Sequence, residues 1–287
     1  MISVEEHDGV ALVRLDHGKV NALDLELLTA ITATMSGLAD APAVVLTGAR
    51  TVFSAGVDLR RIADGGPAYV REFLPALSQA FLAVFDHPRP LVAAVNGHAL
   101  AGGCVLAAAC DLRLMSGGTI GLTELLVGVP FPVTPLEIMR FAVGPAVAGL
   151  ALTGRSMGPD EASRIGLVDT VVEPGDLLPE AVRRAAALAR IPAAAYALTK
   201  EQLRRFTRQR IEELRPVEDR RAAGLWESDE ALFRSPSTSV GSDGSGRRDV
   251  TERTAGPCRS RPAIMAHSLP PVQRPNRPLA PFRSAIR

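Results

Sequence analysis

The chain has 287 residues, enough for one large domain or two small ones, and 47% of them are hydrophobic, ample for a buried core. The 32 Lys and Arg residues against 31 Asp and Glu leave a formal net charge of +1, which gives no global attraction to nucleic acid or to an anionic membrane. Cys104, Cys110 and Cys258 have no CxxC spacing, so no disulfide framework and no metal site is predicted.

Residues 2–6 and 10–16 predict a hairpin turning at Asp8-Gly9, and residues 24–38 carry helical apolar spacing. Strand-like and helical segments then alternate to about residue 172, the last strand being expected at 168–172 behind Gly166. This is an α/β pattern with an internally wound sheet. From 176 to about 233 the pattern becomes helical, rich in Ala, Leu and Arg, with breaks expected at Pro192 and Pro216. After residue 234 the composition turns to SPSTSVGSDGSGRRD, and the remaining stretch holds 8 of the 22 prolines. That stretch predicts disorder, and its abrupt onset reads as a frameshifted terminus. No apolar run is long enough to cross a bilayer and no leader pattern opens the chain, so a soluble cytoplasmic protein is expected.

Two glycine-bearing stretches, FSAGVD at 53–58 and NGHALAGG at 96–103, each follow an apolar strand-like run, at 43–46 and 91–95. A strand that ends in glycines ahead of a helix leaves backbone N–H groups unpaired and aimed outward. Two such groups converging on one oxygen would form an oxyanion hole made of main chain alone. Taken singly, each stretch reads equally as a tight strand-to-helix turn.

FSAGVDL (53–59), PLVAAVNGHALAGGC (90–104), AACDLRL (108–114), IGLTELLVGVP (120–130) and ASRIGLVDTVV (162–172) resemble, in order and spacing, the crotonase (enoyl-CoA hydratase/isomerase) superfamily. The resemblance covers about residues 2–233. It implies a crotonase-like spiral of ββα units with a C-terminal helical region: a core at 1–175 holding an acyl-CoA site, a helical and oligomerisation region at 176–233, and the tail at 234–287. It further implies an acyl-CoA substrate, a homotrimer or dimer of trimers, no nucleic-acid or membrane partner, and no cofactor, coenzyme A entering as the substrate thioester. By the same resemblance the oxyanion donors are the N–H groups of Ala55 and Gly102, and Glu124 is the general acid/base. On spacing alone Glu124 reads as a carboxylate capping a helix start after Thr123.

Hydratases of the family use a second carboxylate at the position that Val105 fills here, and the Pro130-Phe131-Pro132 turn is closer to the Δ3-Δ2-enoyl-CoA isomerase branch. An isomerase needs one carboxylate, which moves a proton from C2 to C4. A hydratase with a substituted second acid, Glu137 being the candidate, and a non-catalytic acyl-CoA binder are the alternatives. Gly56, Gly103, Asp58, Lys19, Arg60 and Arg61 complete the predicted substrate-binding set. Asp58 also reads as a residue fixing the first turn, and Arg60 and Arg61 as an ordinary charged helix face. His98 near Ser54 makes no triad, because no ordered base and orienting acid accompany them.

Overall fold

The computed structural model describes residues 1–228; the predicted tail at 234–287 lies outside the described residues. Strands β1 (Ile2–His7) and β2 (Val10–Leu15) form the expected hairpin, paired from Ile2↔Leu15 to His7↔Val10. Asp8 and Gly9 both take positive φ in the turn, the conformation a tight hairpin demands. Helix α1 (Leu25–Gly37) starts at Asp24, whose Oδ1 accepts the Leu27 N–H at 2.8 Å.

The chain then repeats one unit three times: a long strand, a short strand, a helix. The first is β3 (Val44–Gly48), β4 (Val52–Ser54) and α2 (Leu59–Phe85); the second is β5 (Leu91–Val95), β6 (His98–Leu100) and α3 (Gly102–Ala108). The third is β7 (Leu112–Met115), β8 (Ile120–Gly121), a 3-10 turn at Glu124–Val127 and α4 (Val133–Val143). The long strands of the units join one sheet, ordered β1-β2-β3-β5-β7 and closed by the two-residue β10 (Thr170–Val171), and the short strands another, ordered β4-β6-β8 and closed by β9 (Ser156–Met157). The remaining elements are α5 (Ala146–Thr153), α6 (Pro159–Arg164), α7 (Leu177–Ala189) and α8 (Ala193–Trp226).

The switch from one sheet to the other brings backbone against backbone. A Cβ on Gly48 would lie 2.1 Å from the Val52 carbonyl oxygen, and one on Gly97 1.8 Å from that of Thr51, so neither position admits a side chain. Alternate residues of the central strands feed two cores. Val44, Leu46, Leu91, Ala93 and Val95 pack toward α1 and α2, whereas Val45, Val92 and Ala94 pack toward Leu177, Ala181 and Ala185 of α7. Burial on both faces is why these strands are apolar without alternation.

Two expectations change. Pro192 caps the start of α8, but Pro216 lies inside that helix and does not end it. A proline removes one N–H bond; here the chain beyond it is held by contacts of Asp219 and Trp226 with the core, which offset that loss. The strand expected at 168–172 shortens to Thr170–Val171, with flanking bonds from the Asp169 and Val172 N–H groups to β7, because the Val168 N–H is taken by the Ala162 carbonyl at 3.2 Å. The N-terminal half of α8 is anchored by Lys200 and Arg204, each 2.8 Å from Asp111, with the Arg204 guanidinium 4.2 Å above the Phe85 ring.

Candidate active site

Strands β4, β6 and β8 run parallel, with Ser54 beside Ala99 after a register shift at Val52–Ser54 and with Leu100 beside Gly121. Three adjacent strands therefore release the chain at one sheet edge. Val57 lies three residues past Ser54, Gly102 two past Leu100, and Glu124 three past Gly121. Parallel pairing, rather than sequence proximity, assembles the site.

In the first segment nearly every polar group is committed. Ser54 Oγ donates to the Asn21 carbonyl at 2.7 Å and accepts the Gly56 N–H at 3.2 Å. The Ala55 N–H donates to the Val20 carbonyl at 3.0 Å. The expected role of Ala55 as oxyanion donor is therefore corrected: its donor is held by the loop before α1. Leu23 lies alongside as an isolated parallel partner of Val57, taking the Gly56 carbonyl with its N–H (2.7 Å) and receiving the Asp58 N–H on its carbonyl (3.0 Å). In that pattern the bonds to Leu23 come from the residues flanking Val57, so Val57 turns its own N–H to the opposite side, where it has no partner among the described residues. Sequence reasoning missed Val57 because the signal is this pairing with Leu23.

The second segment meets the first closely. Ala101 takes φ 49° and ψ −123° and donates its N–H to the Gly121 carbonyl, after which Gly102 opens α3 with a first-turn N–H that the helix cannot satisfy. A Cβ on Gly56 would lie 3.2 Å from the Gly102 nitrogen, and one on Gly103 2.2 Å from the Ser54 carbonyl oxygen. Gly56 and Gly103 are thus packing glycines that bring the two segments together.

Glu124 begins the 3-10 turn at 7% exposure, and its Oε2 has no hydrogen-bond partner among the described residues. Burial pushes its carboxyl up to about 8, only partly countered by the backbone N–H groups of Glu124 and Thr123. No cation among the described residues offsets it. Cys104 is the titratable neighbour that feels its charge, and burial, ahead of that charge, raises its thiol so that it stays protonated. Glu124 is therefore a buried carboxyl with no ion-pair partner among the described residues.

The other expected residues are dispersed. Val105 is fully buried in α3. Glu137 is 4% exposed and ion-paired with Arg140 and Arg210, which leaves it no role as a second acid. Asp58 caps α2, its Oδ1 accepting the Arg60 and Arg61 N–H groups at 3.0 and 3.1 Å. Arg61 pairs with Glu26 and lies over the Tyr69 ring, Arg60 is exposed, and Lys19 is exposed on a loop whose carbonyls receive Arg50. His98 is bound to Thr119 Oγ1 at 3.0 Å and not to Ser54.

A mixed α/β fold of wound ββα units, whose parallel strand ends lead to Val57, Gly102 and the buried Glu124, defines a crotonase-fold enzyme. The chain belongs to the enoyl-CoA hydratase/isomerase family, whose profile matches residues 5–257, beyond the point near 233 where the sequence resemblance was expected to stop. It is 33% identical over 215 residues to the mitochondrial enoyl-CoA delta isomerase 1 of Rattus norvegicus, covering 72% of this chain and 74% of that one. It is 35% identical over 210 residues to a putative enoyl-CoA hydratase of Thermus thermophilus, covering 71% and 83%. The crystal structure of human mitochondrial delta3-delta2-enoyl-CoA isomerase superposes with a TM-score of 0.77 at 29% identity, over 81% of this chain and 94% of that one. No described helix is long and apolar enough to cross a membrane.

Proposed function

We propose that the chain is a Δ3-Δ2-enoyl-CoA isomerase in which the N–H groups of Val57 and Gly102 bind the thioester oxygen and Glu124 carries the proton. Glu124 takes a proton from C2, the negative charge spreads over the dienolate and rests on the oxygen between the two donors, and the same carboxyl returns a proton to C4. The double bond moves from C3–C4 to C2–C3 and nothing is added or lost. Fixed donors need no reorganisation as charge develops, and each is worth about 10² to 10³ in rate.

The observation that carries this reading is the buried Glu124 carboxyl, without an ion-pair partner among the described residues, with valine at 105. Adding water across C2–C3 calls for a second acid/base group, and the candidate for it, Glu137, is committed to two arginines. A non-catalytic binder is disfavoured because Glu124 is neither salt-bridged nor turned to solvent. Coenzyme A enters as part of the substrate and no cofactor is required. The assembly we infer is a homotrimer or dimer of trimers, which would cover exposed apolar side chains of α8 such as Leu203 and Phe206.

The test sets 3-enoyl-CoA and 2-enoyl-CoA side by side with the purified protein. Isomerisation should be measurable, hydration much slower, and isomerisation lost in Glu124→Gln. Efficient hydration, or undiminished isomerisation by Glu124→Gln, overturns the assignment.

A further inference from the structure

The stretch between Glu124 and α4 contains Pro130 and Pro132, two residues without an N–H. Its own backbone bonds end with Val129, whose N–H donates to the Glu124 carbonyl at 3.2 Å. Beyond that point α8 holds the turn with side chains. Trp226 Nε1 donates to the Pro130 carbonyl at 2.8 Å, Asp219 Oδ1 accepts the Val133 N–H at 2.8 Å, and Arg210 Nε lies 2.8 Å from Glu137. Trp226 is 1% exposed, its ring centroid 6.2 Å from that of Phe73 on α2, so the indole is wedged between α2 and the turn.

We propose that Asp219 and Trp226 are positioning residues for Glu124, clamping from α8 the proline-rich turn that carries it. This rests on the assignment of Glu124 as the proton carrier. Pro130 is covalently joined to Val129, which is bonded to Glu124, so a shift of the turn moves the acid relative to the donors of Val57 and Gly102. Displacements of about 1 Å at a reacting group cost on the order of 10²-fold in rate. The same clamp, by keeping the turn closed, keeps water from the carboxyl.

The test uses the full chain carrying Trp226→Phe, which keeps a six-membered aromatic ring and loses the pyrrole half with its N–H, together with Asp219→Ala and Asp219→Asn. Two readouts are taken. One is kcat and KM for 3-enoyl-CoA; the other is the titration of Glu124, read as the thermal midpoint against pH minus the same curve for the matching variant with Glu124→Gln. Trp226→Phe and Asp219→Ala should lower kcat about 10-fold or more with KM within about threefold, and Asp219→Asn, whose amide oxygen still accepts the Val133 N–H, should stay within about threefold of the parent. The Glu124 titration should move about one pH unit toward its ordinary range in the first two variants and stay in place in the third. Unchanged kcat with an unmoved titration in Trp226→Phe and Asp219→Ala, or equal losses in Asp219→Ala and Asp219→Asn, overturns the proposal. Should the parent chain fail to isomerise, the titration still reports the placement of Glu124, so a wrong reaction and a wrong clamp give different results.

Discussion

A base must be ionised to accept a proton, and burial holds the Glu124 carboxyl protonated up to about 8. The kcat/KM for isomerisation should therefore rise about tenfold per pH unit below that value and level above it. A flat profile from pH 6 to 9 would show that Glu124 is not the proton acceptor. The same residue sets a stability trend of opposite direction. Its folded value lies above the unfolded 4.5, so its contribution is fully present below pH 4.5 and is lost as pH rises through about 8. Glu124→Gln stays neutral throughout; its thermal midpoint should match the parent near pH 4.5 and exceed it by several degrees at pH 9. Parallel curves for the two proteins would contradict the burial of an unpaired carboxyl. Glu124 was legible in the sequence only through its resemblance, since spacing alone made it a cap. Which N–H of the first segment is left free was not legible: choosing Val57 over Ala55 requires knowing that Leu23 lies alongside and that the Val20 carbonyl takes the Ala55 donor.

At the scale of elements, the site depends on how closely β4 and α3 approach. Gly103 faces the Ser54 carbonyl, where a Cβ would sit at 2.2 Å against backbone that cannot rotate away. Gly103→Ala should force the two segments apart, lowering stability by about 1–3 kcal/mol and isomerase kcat with it. A variant of parental midpoint and kcat would mean that the segments are looser than the structure has them. Local patterns declared most of these elements: β5 spans the predicted 91–95, and α1 begins behind the predicted Asp24. They failed where tertiary contacts decide. Pro216 reads as a breaker, yet Asp219 and Trp226 dock the far side of α8 and carry the helix through it. The run at 168–172 reads as one strand, yet the bond of the Val168 N–H to the Ala162 carbonyl takes its start away from the sheet.

For the whole molecule, the decisive dependence is of the strand-built site on a helix at the end of the described chain. Asp111, just before β7, accepts Lys200 and Arg204 as well as the Leu91 N–H, and through it the N-terminal half of α8 grips the core. Burial, ahead of the opposing attraction of Asp111, lowers both the Lys200 and Arg204 values, so without their partner these cations would be buried and uncompensated. Asp111→Asn keeps the shape and removes the charge. It should cost about 3–5 kcal/mol, the range for breaking a buried pair from one side. The loss should not be confined to stability. With its anchor weakened, α8 should exchange its amide hydrogens faster from residue 200 onward, and kcat for isomerisation should fall while Val57, Gly102 and Glu124 are themselves unaltered. Unchanged exchange in α8 together with parental kcat would show that the strand ends hold the active geometry unaided, and that α8 serves only to cover the protein.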